Sequence, residues 1–532
     1  VWEDPSAYGF TPLASRTTDT VCLGPGDETN VDPKHSLQRV GPLTCKYGEA
    51  GARCHGLVAR MVFVCRKCDC NMHNALCQRH LAKQPLCTAD FSSVLGALDT
   101  IWLQLGYSVA QHEAVCDAWW AKWPAAKRKV METSVAADGV YANRVKTMVK
   151  REILRSMPTK ARAIQYYPNE ATKCAFGPEF YMLQKAVVAT FTDLSLLGCR
   201  VWFASGMNAS QLGQWMADVY SRYRNPVFYE RDGKNWDSTM QMAHHTLKRR
   251  VYELAGMSVE FLRFVDAGAR VSGTFSTPCG KLKYRSEGTT KSGHNDTTLG
   301  NSIINALLAV WACHGEGLSA SVIVAGDDLL LAAEGDFDEH ALAARERSAG
   351  IVPEYRKLFS WRDVSFISGI WFRSGARFVF VPKPGRLLAG LFWTTQVVSR
   401  RKVAGFRRGI VLGLRPSCWM LPVVATFLNV HDDGYSVPFV LAEKQYHLVY
   451  GNYQVADPGE VYSDFLMRYS TNVEEIQSAE GLLRECSGLE GFVSHPLIQR
   501  MVAYDIADLG ERHITTPVGP AAIDSGLHDP AV

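Results

Sequence analysis

Hydrophobic and polar positions fall into three patterns that predict different elements. The runs Ser321 to Val324 and Leu329 to Leu331 are almost wholly apolar, which predicts two buried strands pairing as a hairpin with Gly326 near the turn. Leu299, Ile303, Leu307 and Trp311 recur every four residues, the spacing of one helix face, with Thr297 and Asn301 four apart on a polar edge. The stretch PVFYERDGKNWDSTMQ, 226–241, opens on a strand-like aromatic run, and Ser238 with Gln241 reads as a capping box for a helix continuing through residue 256. Residues 1–40, rich in Gly, Pro, Asp and Thr without periodicity, predict an extended arm. Residues 386–510 read as mostly helical, and 511–532 as a flexible tail. No internal repeat is visible.

Composition narrows the class. With 532 residues, 47% of them hydrophobic and 21% charged, the chain has the means to bury two to four cores. The net charge of +4 is mild, yet tracts such as AAKRKV (125–130), LKRR (247–250) and SRRKVAGFRR (399–408) concentrate positive charge, which permits a polyanionic partner without demanding one. The longest apolar stretch, 416–430, is too short to span a bilayer and carries two prolines. A soluble chain is therefore expected. No signal peptide is apparent, and the start at Val1 suggests either cleavage from a precursor or trimming.

The chemistry-bearing residues lie where these patterns break. Asp327 and Asp328 sit side by side at the hairpin tip. They form either a solvated turn or a cation site, since adjacent carboxylates repel unless a divalent ion offsets their charge. Upstream, Asp232 falls where a strand ends and Asp237 where a helix begins; between the two acidic pairs, Ser292 and Gly293 form a small-residue loop ahead of Thr297 and Asn301.

In order, D-x4-D, S-G-x3-T-x3-N and G-D-D resemble motifs A, B and C of the RNA-dependent RNA polymerases of positive-strand RNA viruses. The segment 148–170 resembles their basic motif F, GIVPEYRKLF (350–359) their motif D, and SFISGIWF (365–372) their motif E, a hairpin turning at Ser374 and Gly375. Trp236 and the K-S-G and T-x-L-G-N wording suggest tombus-like or noda-like viruses. The resemblance implies an α+β right-hand polymerase, with fingers over 91–225, a palm with a fingers insertion over 226–385 and a thumb over 386–510. It implies two Mg²⁺ ions, for which Mn²⁺ can substitute, on Asp232, Asp327 and Asp328. Asp237, Thr297 and Asn301 would recognise the ribose, Ser292 and Gly293 would lie near the templating base, and Lys357 would protonate pyrophosphate. Lys150, Arg151, Lys160 and Arg162 would neutralise the triphosphate. Arg400, Arg401, Lys402, Arg407 and Arg408 would follow RNA phosphates. Expected partners are template and nascent RNA, NTPs, and other viral or host replication proteins. The expected location is host cytoplasm, at membrane-associated replication sites reached through a partner or a removed precursor segment. A reverse transcriptase and a non-catalytic RNA-binding replication scaffold remain as alternatives.

Eight of the 15 cysteines fall in the first ninety residues, mixed with histidines. In a large chain this suggests metal before disulfides. A zinc module over 41–90 is expected, holding one or two Zn²⁺. One interleaved scheme pairs Cys45, Cys54, Cys70 and His73 at one site with Cys65, Cys68, Cys77 and His80 at the other; His55 could replace Cys54.

Overall fold

The computed structural model describes residues 9–13, 17–45, 51–101, 109–276, 280–439 and 454–507. The expected tail, 511–532, lies outside them. The fold is mixed α+β. Its centre is a six-stranded sheet in the order Pro353–Leu358, Pro226–Gly233, Asp328–Glu334, Ala320–Ala325, Cys199–Phe203, Leu194–Leu196. All neighbours are antiparallel except Ala320–Ala325 and Cys199–Phe203, which run parallel.

The near-continuous apolar runs of this sheet follow from burial on both faces. Tyr229, Val322, Val324, Leu329 and Leu331 pack into one core with the long helix Thr297–Gly315. The alternate residues Phe228, Ile323, Leu330 and Ala332 pack into another with the helix Ala209–Arg222 and the hairpin of Gly369–Ser374 and Arg377–Pro382. Ser374 pairs with Arg377, so that hairpin turns at Gly375 and Ala376, one residue beyond the expected Ser374 and Gly375. The long helix departs from its predicted single apolar face: every residue from Leu299 to Cys313 is buried, including Asn301, Ser302 and Asn305. A helix enclosed on all sides needs apolar residues all round, and each polar one needs a partner.

The capping box is also placed differently. Residues Trp236–Thr239 form a separate short turn of helix, and the helix Met242–Leu254 starts from Gln241, whose backbone N–H donates to His244 Nδ1 at 2.9 Å. Ser238 instead accepts from Gln84.

A five-stranded sheet runs in the order Ser36–Val40, Lys281–Glu287, Arg270–Ser276, Arg144–Val149, Ala163–Tyr166. The helix Asp69–Ala75 and its continuation Leu76–His80 bury Met72, Ala75 and Leu76 against Val145, Val149, Leu282 and Tyr284 of this sheet. The amino-terminal segments are woven through the chain. Gly9–Pro12 pairs with Gly491–Ser494, which also pairs with Leu57–Val58; Thr20–Val21 pairs with Val64–Cys65; Arg53–Cys54 pairs with Trp393–Thr394. Beyond residue 383 the described chain is mostly helical around a core that also takes in Leu57, Ala59 and the hairpin's Ile370, Phe372, Val379 and Val381.

Candidate active site

The acidic hairpin is built as its sequence implies. Ala325 pairs with Asp328, leaving Gly326 and Asp327 as the turn, with Gly326 at φ +66° where a side chain would be strained. The turn backbone is held from the long helix: Gly326 N–H donates to Ser302 Oγ at 2.8 Å, and Asn305 Nδ2 donates to Gly326 O at 3.0 Å and Asp328 O at 3.1 Å. Arg231 lies buried beneath it. Its guanidinium pairs with Glu346 at 3.0 Å and donates to Asn305 Oδ1 at 2.6 Å and Asp327 O at 3.4 Å, while Tyr229 OH donates to Glu346 at 3.0 Å. Sequence reasoning missed this support. The available signal was Ser302 and Asn305, polar residues inside an apolar helical run.

Strand register brings the distant aspartate in. Arg231 pairs with Leu329, so the same register continued by one residue sets Asp232 beside Asp328. The carboxyls feel one another. Burial pushes Asp328 up to about 7, with Asp327 and then Asp232 adding to the shift. Asp232 is raised by burial and by Asp327. Asp237 is pushed up to about 6 by burial and Asp327, opposed by the 3.2 Å hydrogen bond it accepts from Asn301 Nδ2. Among the described residues none of Asp232, Asp327 or Asp328 has an ion-pair partner. A cluster of mutually repelling, all-oxygen donors fits a hard divalent cation.

Facing the acids is a cavity of about 170 Å³ lined by Arg79, Lys150, Arg162, Trp236, Asp237, Ser292 and Asp327 among others. Its lining brings the carboxylates of Asp237 and Asp327 together with the basic side chains of Arg79, Lys150 and Arg162. Arg79 was not among the expected residues: nothing in its local sequence sets it apart, and it reaches the cavity only because its helix packs on the five-stranded sheet. Lys150 and Arg162 flank Glu152, each at 2.9 Å. Ser292 Oγ accepts from Gln165 N–H at 3.0 Å, and a Cβ on Gly293 would stand 2.3 Å from Gln165 O, so this loop needs its glycine for close approach.

The model of a family described as viral RNA-dependent RNA polymerase matches residues 194–345, the span holding both acidic strands and the long helix. The protein is an RNA-dependent RNA polymerase. No curated protein matches the chain. As a polymerase of this kind it binds an RNA template and NTPs, and among the described residues no helix is long and apolar enough to cross a membrane.

Several expected residues of the polymerase lie elsewhere. Lys357 is three strand residues, about 10 Å, from Glu354, the partner of Asp232. Its ammonium is held by Asp336 at 2.8 Å and Glu339 at 2.5 Å, and these partners raise its pKa, so proton donation from it is disfavoured. Thr297 spends its hydroxyl on the carbonyls of Lys291 and His294 in its own loop. Arg151 and Lys160 do not line the cavity. Of the second basic run, Arg407 is tied to Glu490 and His55 O, and Arg408 to Asp432 and Ser436 O, whereas Arg400, Arg401 and Lys402 are exposed.

The interleaved thiol scheme is also corrected. Cys45 and Cys70 do meet, but with Cys22: Cys22 Sγ lies 3.1 Å from Cys45 Sγ, which lies 3.2 Å from Cys70 Sγ, and Cys68 Sγ is 3.7 Å from Cys22 Sγ. Cys54 is buried apart and donates to Gly56 O, and Cys65 packs in the apolar core under the helix. His73 is held between Gly26 N–H and Glu28, with Cys77 3.6 Å from its ring. His80 is buried, which with Arg79 pushes its pKa down to about 4. His55 is buried against Phe406. The strand pairings of Cys54 and Cys65 with distant segments, rather than the short C-x2-C spacing, decide which thiols face one another.

Proposed function

We propose that this enzyme replicates a positive-strand viral RNA genome by template-directed transfer of nucleotides to an RNA 3′-hydroxyl, with Asp232, Asp327 and Asp328 holding two Mg²⁺. In this reading the six-stranded sheet is the palm, the five-stranded sheet belongs to the fingers and the helical region beyond 386 is the thumb. A single observation carries the proposal: strand register sets Asp232 beside Asp328 and next to Asp327, which lines a cavity that Arg79, Lys150 and Arg162 also line. Bound there, the metal ions supply positive charge to the attacking and leaving oxygens.

The chain's own groups do the rest. Arg79, Lys150 and Arg162 hold the triphosphate through charge-assisted hydrogen bonds. Asp237 and Asn301 face the ribose: Asn301 Oδ1 is buried with no hydrogen-bond partner among the described residues, an acceptor suited to a 2′-hydroxyl. A deoxynucleotide would leave that acceptor unpaired at a cost of about 1–3 kcal/mol. This favours RNA synthesis over reverse transcription. Arg400, Arg401 and Lys402 remain available to RNA phosphates. The motif wording supports a tombus-like or noda-like origin and, by the same resemblance, replication at host membranes through a partner.

Incorporation of NTPs against dNTPs on an RNA template with Mg²⁺ tests the reading. NTPs are expected to be preferred at least tenfold, with an Asp327→Ala protein inactive. Equal use of dNTPs would favour reverse transcription, and normal synthesis by Asp327→Ala would leave only the scaffold.

A further inference from the structure

We propose that Cys22, Cys45, Cys68 and Cys70 form a four-thiolate site for one structural Zn²⁺, and that this site fixes the helix that carries Arg79 into the nucleotide cavity. The metal half stands on geometry alone; the Arg79 half rests on the functional reading above.

The four sulfurs come from three separate segments and meet with nearest separations of 3.1, 3.2 and 3.7 Å. Four sulfurs about 2.3 Å from a central ion define a tetrahedron with edges of roughly 3.8 Å; Cys22, Cys45 and Cys70 already lie within 4.8 Å of one another, and Cys68, beside Cys22, must close onto the other two to complete it. A tetrahedral all-sulfur donor set selects zinc or iron over magnesium, calcium or copper(II).

Polar contacts around the sulfurs bring the thiol-bearing segments together. Asn71, fully buried, accepts from Leu23 N–H at 2.8 Å and donates to Val21 O at 2.8 Å and Arg66 O at 2.9 Å, joining the Cys22 strand to the Cys68 turn. Asn71 N–H points at Cys68 Sγ, 3.5 Å away, the kind of N–H to sulfur bond that orients a thiolate ligand. The Arg66 guanidinium donates to Thr20 Oγ1 at 3.0 Å and Cys45 O at 3.3 Å, placing a cation beside a centre that would carry a net charge of about −2 from one Zn²⁺ and four thiolates. Thr44, next to Cys45, donates from N and Oγ1 to Asp69 at 3.3 Å.

The site sits at the start of a helix that ends in the cavity. Cys68 caps the helix Asp69–Ala75, which runs on through Leu76–His80 to Arg79 and His80 on the cavity wall. Nine to eleven residues at about 1.5 Å each set Arg79 roughly 15 Å from the thiols. Along the way Asn74 Oδ1 accepts from Ala161 N–H at 2.9 Å, and Gln78 O accepts from Asn235 at 3.4 Å. Anchoring its first turn therefore sets how far Arg79 projects toward Asp237.

The test uses the full chain purified without added metal, with metal counted by mass spectrometry and ligands read by X-ray absorption. One zinc per chain with four sulfurs at about 2.3 Å is expected. Cys22→Ser should lose it, and Cys54→Ser and Cys65→Ser should keep it. Because Cys22→Ser can misfold, Co²⁺ exchanged into the unaltered protein gives a second reading, with tetrahedral all-thiolate absorption expected. No metal, iron in place of zinc, or zinc lost with Cys54 or Cys65 instead of Cys22 would overturn the site. Zinc removal and Arg79→Ala should each raise the NTP KM about tenfold with a smaller change in kcat. An unchanged KM after zinc removal would overturn the coupling while leaving the metal site intact. Inactivity of the zinc-loaded protein would instead count against the polymerase reading.

Discussion

The acidic cluster and the thiol cluster gather their donors in opposite ways. Asp327 and Asp328 are neighbours in sequence, and Asp232 reaches them through the register of two long strands whose apolar faces are both buried. A slip of one residue would turn every apolar side chain of either strand to the wrong face, so the position of Asp232 is over-determined. The thiols lie on short, irregularly connected segments, with Asn71, Arg66 and a two-residue strand pairing among the contacts that bring Cys22 to Cys68. Regular packing places the acids; a handful of polar contacts places the thiols.

The largest expected effect lies at the acids. Asp327→Ala should lower RNA synthesis by about 10³-fold, as loss of a main electrostatic stabiliser does, while thermal unfolding shows an intact fold. Next comes the support beneath the turn. Glu346→Ala leaves Arg231 buried without its carboxylate and should destabilise the protein by about 3–5 kcal/mol, measured by denaturant unfolding. Glu346→Gln, which keeps an acceptor for Tyr229 and Arg231, should lose less.

That contrast also explains what could be read from sequence. The hairpin, Asp232, the motif E hairpin and the helical carboxy-terminal region were legible because strand and helix periods carry the information. The basic lining was legible only in part: Lys150 and Arg162 follow from a motif, whereas Arg79 depends on how one helix lies on a sheet whose paired residues are up to 249 positions apart, Ser36 with Arg285. The thiol partners were not legible because closing a loop of twenty or fifty residues differs by under about 1 kcal/mol, so spacing alone does not rank the pairings. Lys357 misled for another reason, since the motif resemblance says nothing of its neighbours and its side chain is held by Asp336 and Glu339.

A smaller, pH-dependent effect sharpens the comparison. Asp328, at about 7 in the folded chain, lies above its unfolded value, so the fold favours its protonated form. That contribution is complete below about pH 4, the unfolded value, and is lost as pH rises through 7. Mg²⁺ should therefore raise the melting temperature more at pH 8 than at pH 6, where it must displace a proton, and Asp328→Asn should flatten the dependence. Smallest of all, Lys357→Met should change kcat by less than about twofold, since a raised pKa already removes it from general-acid work.

The central claim is that Asp232 and the hairpin aspartates share one centre, and Mn²⁺ reports on this directly. Electron paramagnetic resonance of the protein with NTP and two equivalents of Mn²⁺ should show a spin-coupled pair, lost in Asp232→Asn. Two isolated Mn²⁺ signals in the unaltered protein, or a coupled pair that survives in Asp232→Asn, would contradict the account.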